Sequence, residues 1–155
     1  MNRFAIILAL GFGSGLAPKA PGTFGTLFAI LPVIATEQFA YPVKAFIFVL
    51  LLLGGVWAAD RYEKITGKKD ASEVVIDEIA AYYMIFLFIP ANVFTVPLGF
   101  VLFRIFDIWK PYPIKKLEKI DGGLGVMADD LLAAVYSIII LGILYLGYTF
   151  FFSHI

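Results

Sequence analysis

The chain has 155 residues, of which 61% are hydrophobic and 15% charged, with a mean hydropathy of +0.92 and a formal net charge of zero. That is too apolar for an ordinary soluble domain and predicts a small integral membrane protein, with residues 1–155 forming one domain. Zero net charge argues against broad electrostatic binding of nucleic acid, and the absence of cysteine excludes a disulfide framework, thiolate metal ligands and a cysteine nucleophile.

In chain order, apolar stretches cover residues 4–16, 23–35, 45–59, 74–89, 93–106 and 131–152. Only the last comfortably reaches the roughly 20 residues that a perpendicular helix needs to cross hydrocarbon. Shortness in the others fits a thin protein, borrowed interfacial residues, or segments that enter without crossing. Pro32, Pro42, Pro90, Pro97, Pro111 and Pro113 punctuate the boundaries, where helices stop or bend. The first stretch runs into Gly and Pro without an A-x-A-like site, so no cleavable signal is expected. His154, the only histidine, lies in an aromatic tail, which argues against a histidine base. The expected fold is all-α: a small polytopic membrane helix bundle of about five crossing helices, with residues 4–16 as an interfacial or re-entrant segment.

Basic residues set the expected topology. If the five later stretches cross, one side receives Arg3, Lys19, Arg61, Lys64, Lys68, Lys69, Arg104, Lys110, Lys115, Lys116 and Lys119, and the other receives Lys44 alone. Such asymmetry predicts that the charged side is cytoplasmic and the C-terminus external. Of the acids, only Glu37 would accompany Lys44. The remaining acids therefore share one face, and grouped carboxylates beside hydrocarbon imply either bound protons or bound cations.

Four segments carry chemistry. Gly11-Phe-Gly-Ser-Gly-Leu-Ala-Pro-Lys-Ala-Pro-Gly-Thr-Phe-Gly-Thr26 is a Gly/Ser/Pro-rich turn that opens a helix near Thr23. Its Ser14, Lys19, Thr23 and Thr26 are candidate phosphate contacts, because glycine permits close backbone approach and a helix start attracts anions. It lacks the Gly-Lys-Ser/Thr of a Walker loop and the spacing of a dinucleotide fingerprint, and a tight turn for helix packing is the structural alternative. In Asp70-Ala-Ser-Glu-Val-Val-Ile-Asp-Glu-Ile79, Ser72 or Asp70 is expected to cap a helix on which Glu73 and Asp77 share a face while Glu78 turns away by about 100°. Acids in a first turn also serve simply to complement the helix dipole, a role that suits Glu73 better than Asp77 and Glu78.

In Phe103-Arg-Ile-Phe-Asp-Ile-Trp-Lys-Pro-Tyr-Pro-Ile114, Arg104, Asp107 and Lys110 recur every third residue, giving a cation, acid, cation stripe that either clamps phosphate or snorkels with internal salt bridges. Asp121-Gly-Gly-Leu-Gly-Val-Met-Ala-Asp-Asp-Leu131 is a glycine loop leading into the longest helix, with Asp129 and Asp130 one helical step apart as metal ligands or helix caps.

These four motifs, in this order and over nearly the whole chain, make it resemble the phosphatidylglycerophosphatase A family, magnesium-dependent lipid phosphatases of bacterial membranes. Ala81 and Ala134 stand where family members often carry glycine, a small-for-small change that bears on helix packing alone. The resemblance implies hydrolysis of phosphatidylglycerophosphate to phosphatidylglycerol and inorganic phosphate, at a multi-pass protein of the bacterial inner membrane with its site facing the cytoplasm.

The residues agree with that implication. A phosphate monoester dianion needs its charge neutralised and a water aligned behind phosphorus, and Mg2+ held by carboxylates serves both needs. The expected metal and base set is Asp77, Glu78, Asp107, Asp129 and Asp130, with Arg104 and Lys110 clamping phosphate; any of the acids is a candidate base, and a covalent aspartyl-phosphate stays open. A cation transporter and another magnesium-dependent lipid phosphotransfer enzyme are the alternatives. The first fits poorly with acids near one surface, and the Asp-Gly...Ala-Arg...Gly...Asp...Asp pattern of CDP-alcohol phosphotransferases is absent.

Overall fold

A computed structural model describes residues 2–69, 71–117, 120 and 122–152. Among them no strand forms, and the helices are α1 (Asn2–Ala9), a 3-10 segment (Gly11–Leu16), α2 (Pro21–Thr36), α3 (Tyr41–Thr66), α4 (Ile76–Phe88), α5 (Thr95–Trp109), the single turn α6 (Ile114–Leu117) and α7 (Gly123–Phe152). The stretch expected over residues 4–16 is thus broken, with Phe12 and Gly13 at positive φ inside the 3-10 segment. Asp70 and His154 lie outside the described residues.

The helix ends follow local chemistry. Proline stands at the first turn of both α2 and α3, where the missing N–H has no intrahelical partner to lose. Gly67 closes α3 at φ 70, its N–H donating to the Glu63 carbonyl at 2.8 Å. The Asn92 side chain accepts from the N–H groups of Phe94 and Thr95, both at 2.9 Å, and so starts α5. Pro90 and Pro111 follow the ends of α4 and α5. Pro32 sits inside α2, where its missing N–H removes the helical donor to the Phe28 carbonyl, and the Thr36 hydroxyl bonds back to the Pro32 carbonyl at 2.7 Å.

Helix α4 is the centre of the bundle, in contact with α2, α3 and α7. Ile76, Ile79, Ala80, Ala81, Tyr82, Tyr83, Ile85 and Phe86 are all at most 3% exposed, so the helix is buried around its circumference. Its polar atoms are paired within the bundle: Tyr82 donates to the Val96 carbonyl at 2.7 Å, and the Tyr83 and Thr36 hydroxyls are 2.9 Å apart. Small residues let the helices approach, including Ala58, Ala59, Ala133 and Ala134, all buried. Gly123 shows the requirement most sharply, since a Cβ there would run into the Val56 carbonyl of α3.

Helices α3 and α7 are long and apolar enough to cross a membrane, at 26 and 30 residues, and only 17% and 22% of their most apolar windows is buried inside the molecule. Core helices of a soluble protein would show the reverse; these faces are built for lipid. The other helices are shorter: α4, with 13 residues, is about 20 Å long, well under a hydrocarbon thickness of roughly 30 Å. The structure therefore supports a helical membrane protein with two clear candidate spans.

Candidate active site

Helices α2, α4 and α7 present their N-terminal ends, and α5 its C-terminal end, to one cavity of about 320 Å³. Positive ends of three helix dipoles thus face the same space, which favours anions there. The α2 contribution is Ala20, Pro21 and Gly22; α4 and the loop before it give Ser72, Asp77 and Glu78; α5 gives Arg104, Asp107, Ile108 and Lys110; α7 gives Asp129 and Asp130.

Two local departures from the sequence reading build this arrangement. Helix α4 starts at Ile76, with Val75 at its N-cap and no side-chain cap, so Ser72 does not cap it and Glu73 lies before the helix. The cause is tertiary: the Val75 N–H donates to the Ala9 carbonyl at 2.9 Å, and residues 71–74 close as a turn instead. Asp77 and Glu78, rather than Glu73, are consequently the first-turn acids. Glu73 instead accepts from Lys68 at 2.8 Å and from the Tyr62 hydroxyl at 3.0 Å. The Lys68 hydrogen bond holds the Glu73 carboxyl below the usual carboxylate range, and Glu73 in turn holds the Lys68 ammonium above its own. Helix α7 likewise starts at Gly123, after Gly122 at φ 75, so Asp129 and Asp130 lie in its second turn and are only 7% and 4% exposed. They are buried side chains and not helix caps.

The acids divide by their partners. Oxygen atoms of Asp77, Glu78 and Asp130 lie within 4.8 Å of one another. Asp77 accepts from the Glu78 N–H at 3.0 Å, while the buried Oε2 of Glu78 has no hydrogen-bond partner. An unpartnered, buried carboxylate oxygen in a group of three is costly unless a cation completes it, and an all-oxygen set suits a hard divalent ion such as Mg2+. Asp107 and Asp129 are instead paired with cations: Arg104 Nη1 is 2.5 Å from Asp107 Oδ2 and 3.8 Å from Glu78 Oε1, and Lys110 Nζ is 2.6 Å from Asp129 Oδ2. Arg104 meets Asp107 as an ion pair without hydrogen-bond alignment, so its buried Nη1 and Nε stay without acceptors. The predicted stripe is therefore only half internal. Lys110 sits beyond α5 at φ 46, ψ 60, which turns it across to α7.

Backbone strain gathers at the same place. Ala20 (φ 51, ψ 55) and Lys110 are left-handed, both precede proline, and both line the cavity. For residues with a Cβ this conformation costs roughly 1–2 kcal/mol, and such strain persists where surrounding contacts fix it. Gly22 is the tightest point, because a Cβ there would meet the Glu78 carboxylate and stand 3.1 Å from Arg104 Nη1.

Seven predicted residues therefore come together: Asp77, Glu78, Arg104, Asp107, Lys110, Asp129 and Asp130. Ser14, Lys19, Thr23 and Thr26 are not among the cavity lining. The Ser14 hydroxyl donates to the Gly11 carbonyl at 2.8 Å, and that of Thr26 to the Gly22 carbonyl at 2.9 Å inside α2. The sequence reading missed Ala20, Pro21, Gly22 and Ser72, although the Ala-Pro-Gly run was itself a signal of backbone, and not side-chain, proximity.

Fold and cavity together define a helical membrane protein with a mixed acid and cation site at one end of its bundle. The sequence pattern described as "Phosphatidylglycerophosphatase A" matches residues 7–145. The chain is 38% identical to a phosphatidylglycerophosphatase A of Escherichia coli, over 90% of this chain and 80% of that one, and 37% identical to one of Haemophilus influenzae, over 86% and 84%. It is also 42% identical to a Bacteroides thetaiotaomicron protein named "Putative phosphatidylinositol-3-phosphatase", over 89% of this chain and 91% of that one. No solved structure matches the chain. The chain belongs to the phosphatidylglycerophosphatase A family.

Proposed function

We propose that the protein hydrolyses the phosphate monoester of phosphatidylglycerophosphate, giving phosphatidylglycerol and inorganic phosphate, with carboxylate-bound Mg2+. The observation that carries this reading is the convergence of five carboxylates and two cations on one cavity in a chain of this family. Five ionised acids against Arg104 and Lys110 leave a formal excess of three negative charges, and a monoester dianion adds to it. Binding of a cation is thus a condition for binding the substrate.

We assign Asp77, Glu78 and Asp130 to the metal. Bound there, Mg2+ would neutralise phosphate charge and supply an acidified, oriented water. Arg104 and Lys110 are assigned to the phosphate oxygens, where the spare donors of Arg104 suit a non-bridging pair. Asp107 and Asp129 hold those cations in position, and whichever of them faces the attacking water accepts its proton. The three helix N-termini add fixed positive potential at no reorganisation cost when charge develops on the leaving oxygen. A transporter reading is weaker, because among the described residues the acids that can hold a metal form one group at one end.

We infer that the site lies at the cytoplasmic face of the inner membrane of a bacterium, with five alternating crossings by α2, α3, α4, α5 and α7. Arg61, Lys64, Lys68, Lys115 and Lys116 belong to the site end, while Lys44 pairs with Glu37 at 3.3 Å at the other. A second reading of the headgroup, phosphatidylinositol 3-phosphate, is favoured by the name of the Bacteroides relative. Phosphate release by the purified protein from the two lipids, compared at equal mole fraction in mixed micelles, tests the assignment: a higher kcat/KM on phosphatidylglycerophosphate is expected, and preference for the inositol lipid would overturn it.

A further inference from the structure

A shallow, open groove lined by α5 side chains alone adjoins the first cavity along the outer side of that helix. Its walls are Phe100, Val101, Ile105, Ile108 and Trp109, and Arg104 and Ile108 line both. Positions 101, 105 and 108 follow one helical stripe, and Val101, Ile105, Ile108 and Trp109 are 50%, 47%, 70% and 73% exposed. The opposite side of α5 is spent on the bundle, through buried Gly99, Phe103 and Asp107. The charged cavity therefore adjoins, at Arg104 and Ile108, a shallow apolar groove on the outward side of α5.

Only an amphiphile with its charge next to its hydrocarbon occupies both spaces at once. We propose that the groove along α5 seats an acyl chain of the lipid whose phosphate-bearing headgroup enters the polar cavity, which rests on the lipid-phosphatase reading above. From Ile108 to Val101 the groove runs about 10 Å along the helix. Leaving the bilayer for this groove gains the chain little, since lipid tails are as apolar as the groove walls. The groove acts by alignment: it fixes the depth and direction from which the headgroup reaches Arg104, and so acts on KM for lipid and not on the chemical step.

The experiment uses the full chain in mixed micelles, with dioleoyl phosphatidylglycerophosphate and its deacylated, water-soluble headgroup as substrates. Ile105→Asn and Val101→Asn set an amide against the chain and should raise KM for the dioleoyl lipid about fivefold to tenfold, leaving kcat and both constants for the deacylated headgroup changed by less than about twofold. Leu53→Asn, on the 62% exposed lipid face of α3, is the control and should stay within about twofold on both substrates. Equal effects of Ile105→Asn on the two substrates, or an effect of Leu53→Asn as large, would overturn the groove.

A second measurement needs neither turnover nor a variant. A phosphatidic acid with a diazirine in its acyl chain should label the peptide spanning Phe100 to Trp109 in the wild-type protein more strongly than a diazirine phosphatidylcholine does, while the peptide around Leu53 should not distinguish them. Equal labelling of the α5 peptide by both lipids means bulk lipid only and contradicts the proposal. Wild-type protein that releases phosphate from neither substrate, yet labels selectively, would remove the enzymatic reading and leave the lipid seat standing.

Discussion

Lys110 Nζ lies 2.6 Å from Asp129 Oδ2, tying the residue that ends α5 to the second turn of α7. The contact closes one side of the acid cavity and uses a left-handed lysine to do so. Removing one partner strands a charge whose side chain is only 10% exposed on the acid side. Lys110→Met should therefore lose about 1–3 kcal/mol of stability, less than for a fully buried pair because the lysine keeps 24% exposure. Thermal unfolding in detergent should show the double variant Lys110→Met, Asp129→Leu recovering most of that loss. Activity should recover in none of them.

Gly22 should tolerate no side chain. Gly22→Ala drives a methyl group into the Glu78 carboxylate and the Arg104 guanidinium, so kcat should fall at least about tenfold with a stability loss of about 1–3 kcal/mol. Gly147→Ala in α7, where nothing lies within 4 Å of a new Cβ, is the control and should be neutral or slightly stabilising. Phosphate-release kinetics on both variants check the pair.

Glu37 lies at the far end of the bundle, engaged with Lys44. Glu37→Gln should leave kcat/KM within about twofold, since the pair is partly exposed and remote from the cavity. A larger loss in steady-state assays would mean that the two ends of the bundle are coupled.

Topology is accessible because the chain has no cysteine. Single cysteines at Lys68 and Lys116 should resist an impermeant thiol reagent in intact cells, whereas one at Val93, which is 96% exposed in the loop between α4 and α5, should react. Labelling at the lysine positions with protection at Val93 would invert the protein in the membrane.

Much of this site was legible before the fold. Three of the four motifs named all seven charged residues that line the cavity, because charge in so apolar a chain is concentrated in a few segments. What the sequence did not show was the division of labour among the acids. That division depends on α4 beginning at Ile76, past the expected cap at Ser72 or Asp70, and on α7 beginning at Gly123, ahead of the apolar stretch that opens at residue 131. The first offset is set by a hydrogen bond from Val75 to Ala9, a contact between distant parts of the chain that no local pattern encodes. The second follows from glycines that serve in α7 itself, Gly123 against α3, and not as a loop. Ser14 and Thr26 stand outside the cavity lining for a simpler reason: hydroxyls in an apolar setting bond their own backbone.

The most direct test of the account is the metal dependence of phosphate release from phosphatidylglycerophosphate by the purified protein, titrated with Mg2+ after complete chelation. The wild type should be inactive without metal and saturably restored by Mg2+, Asp130→Asn should lose at least about 100-fold in kcat/KM, equal to about 2.7 kcal/mol of barrier, and Arg104→Gln should lose activity while keeping the wild-type Mg2+ midpoint. Full activity in chelator, or an Asp130→Asn variant with wild-type turnover and Mg2+ midpoint, would contradict it.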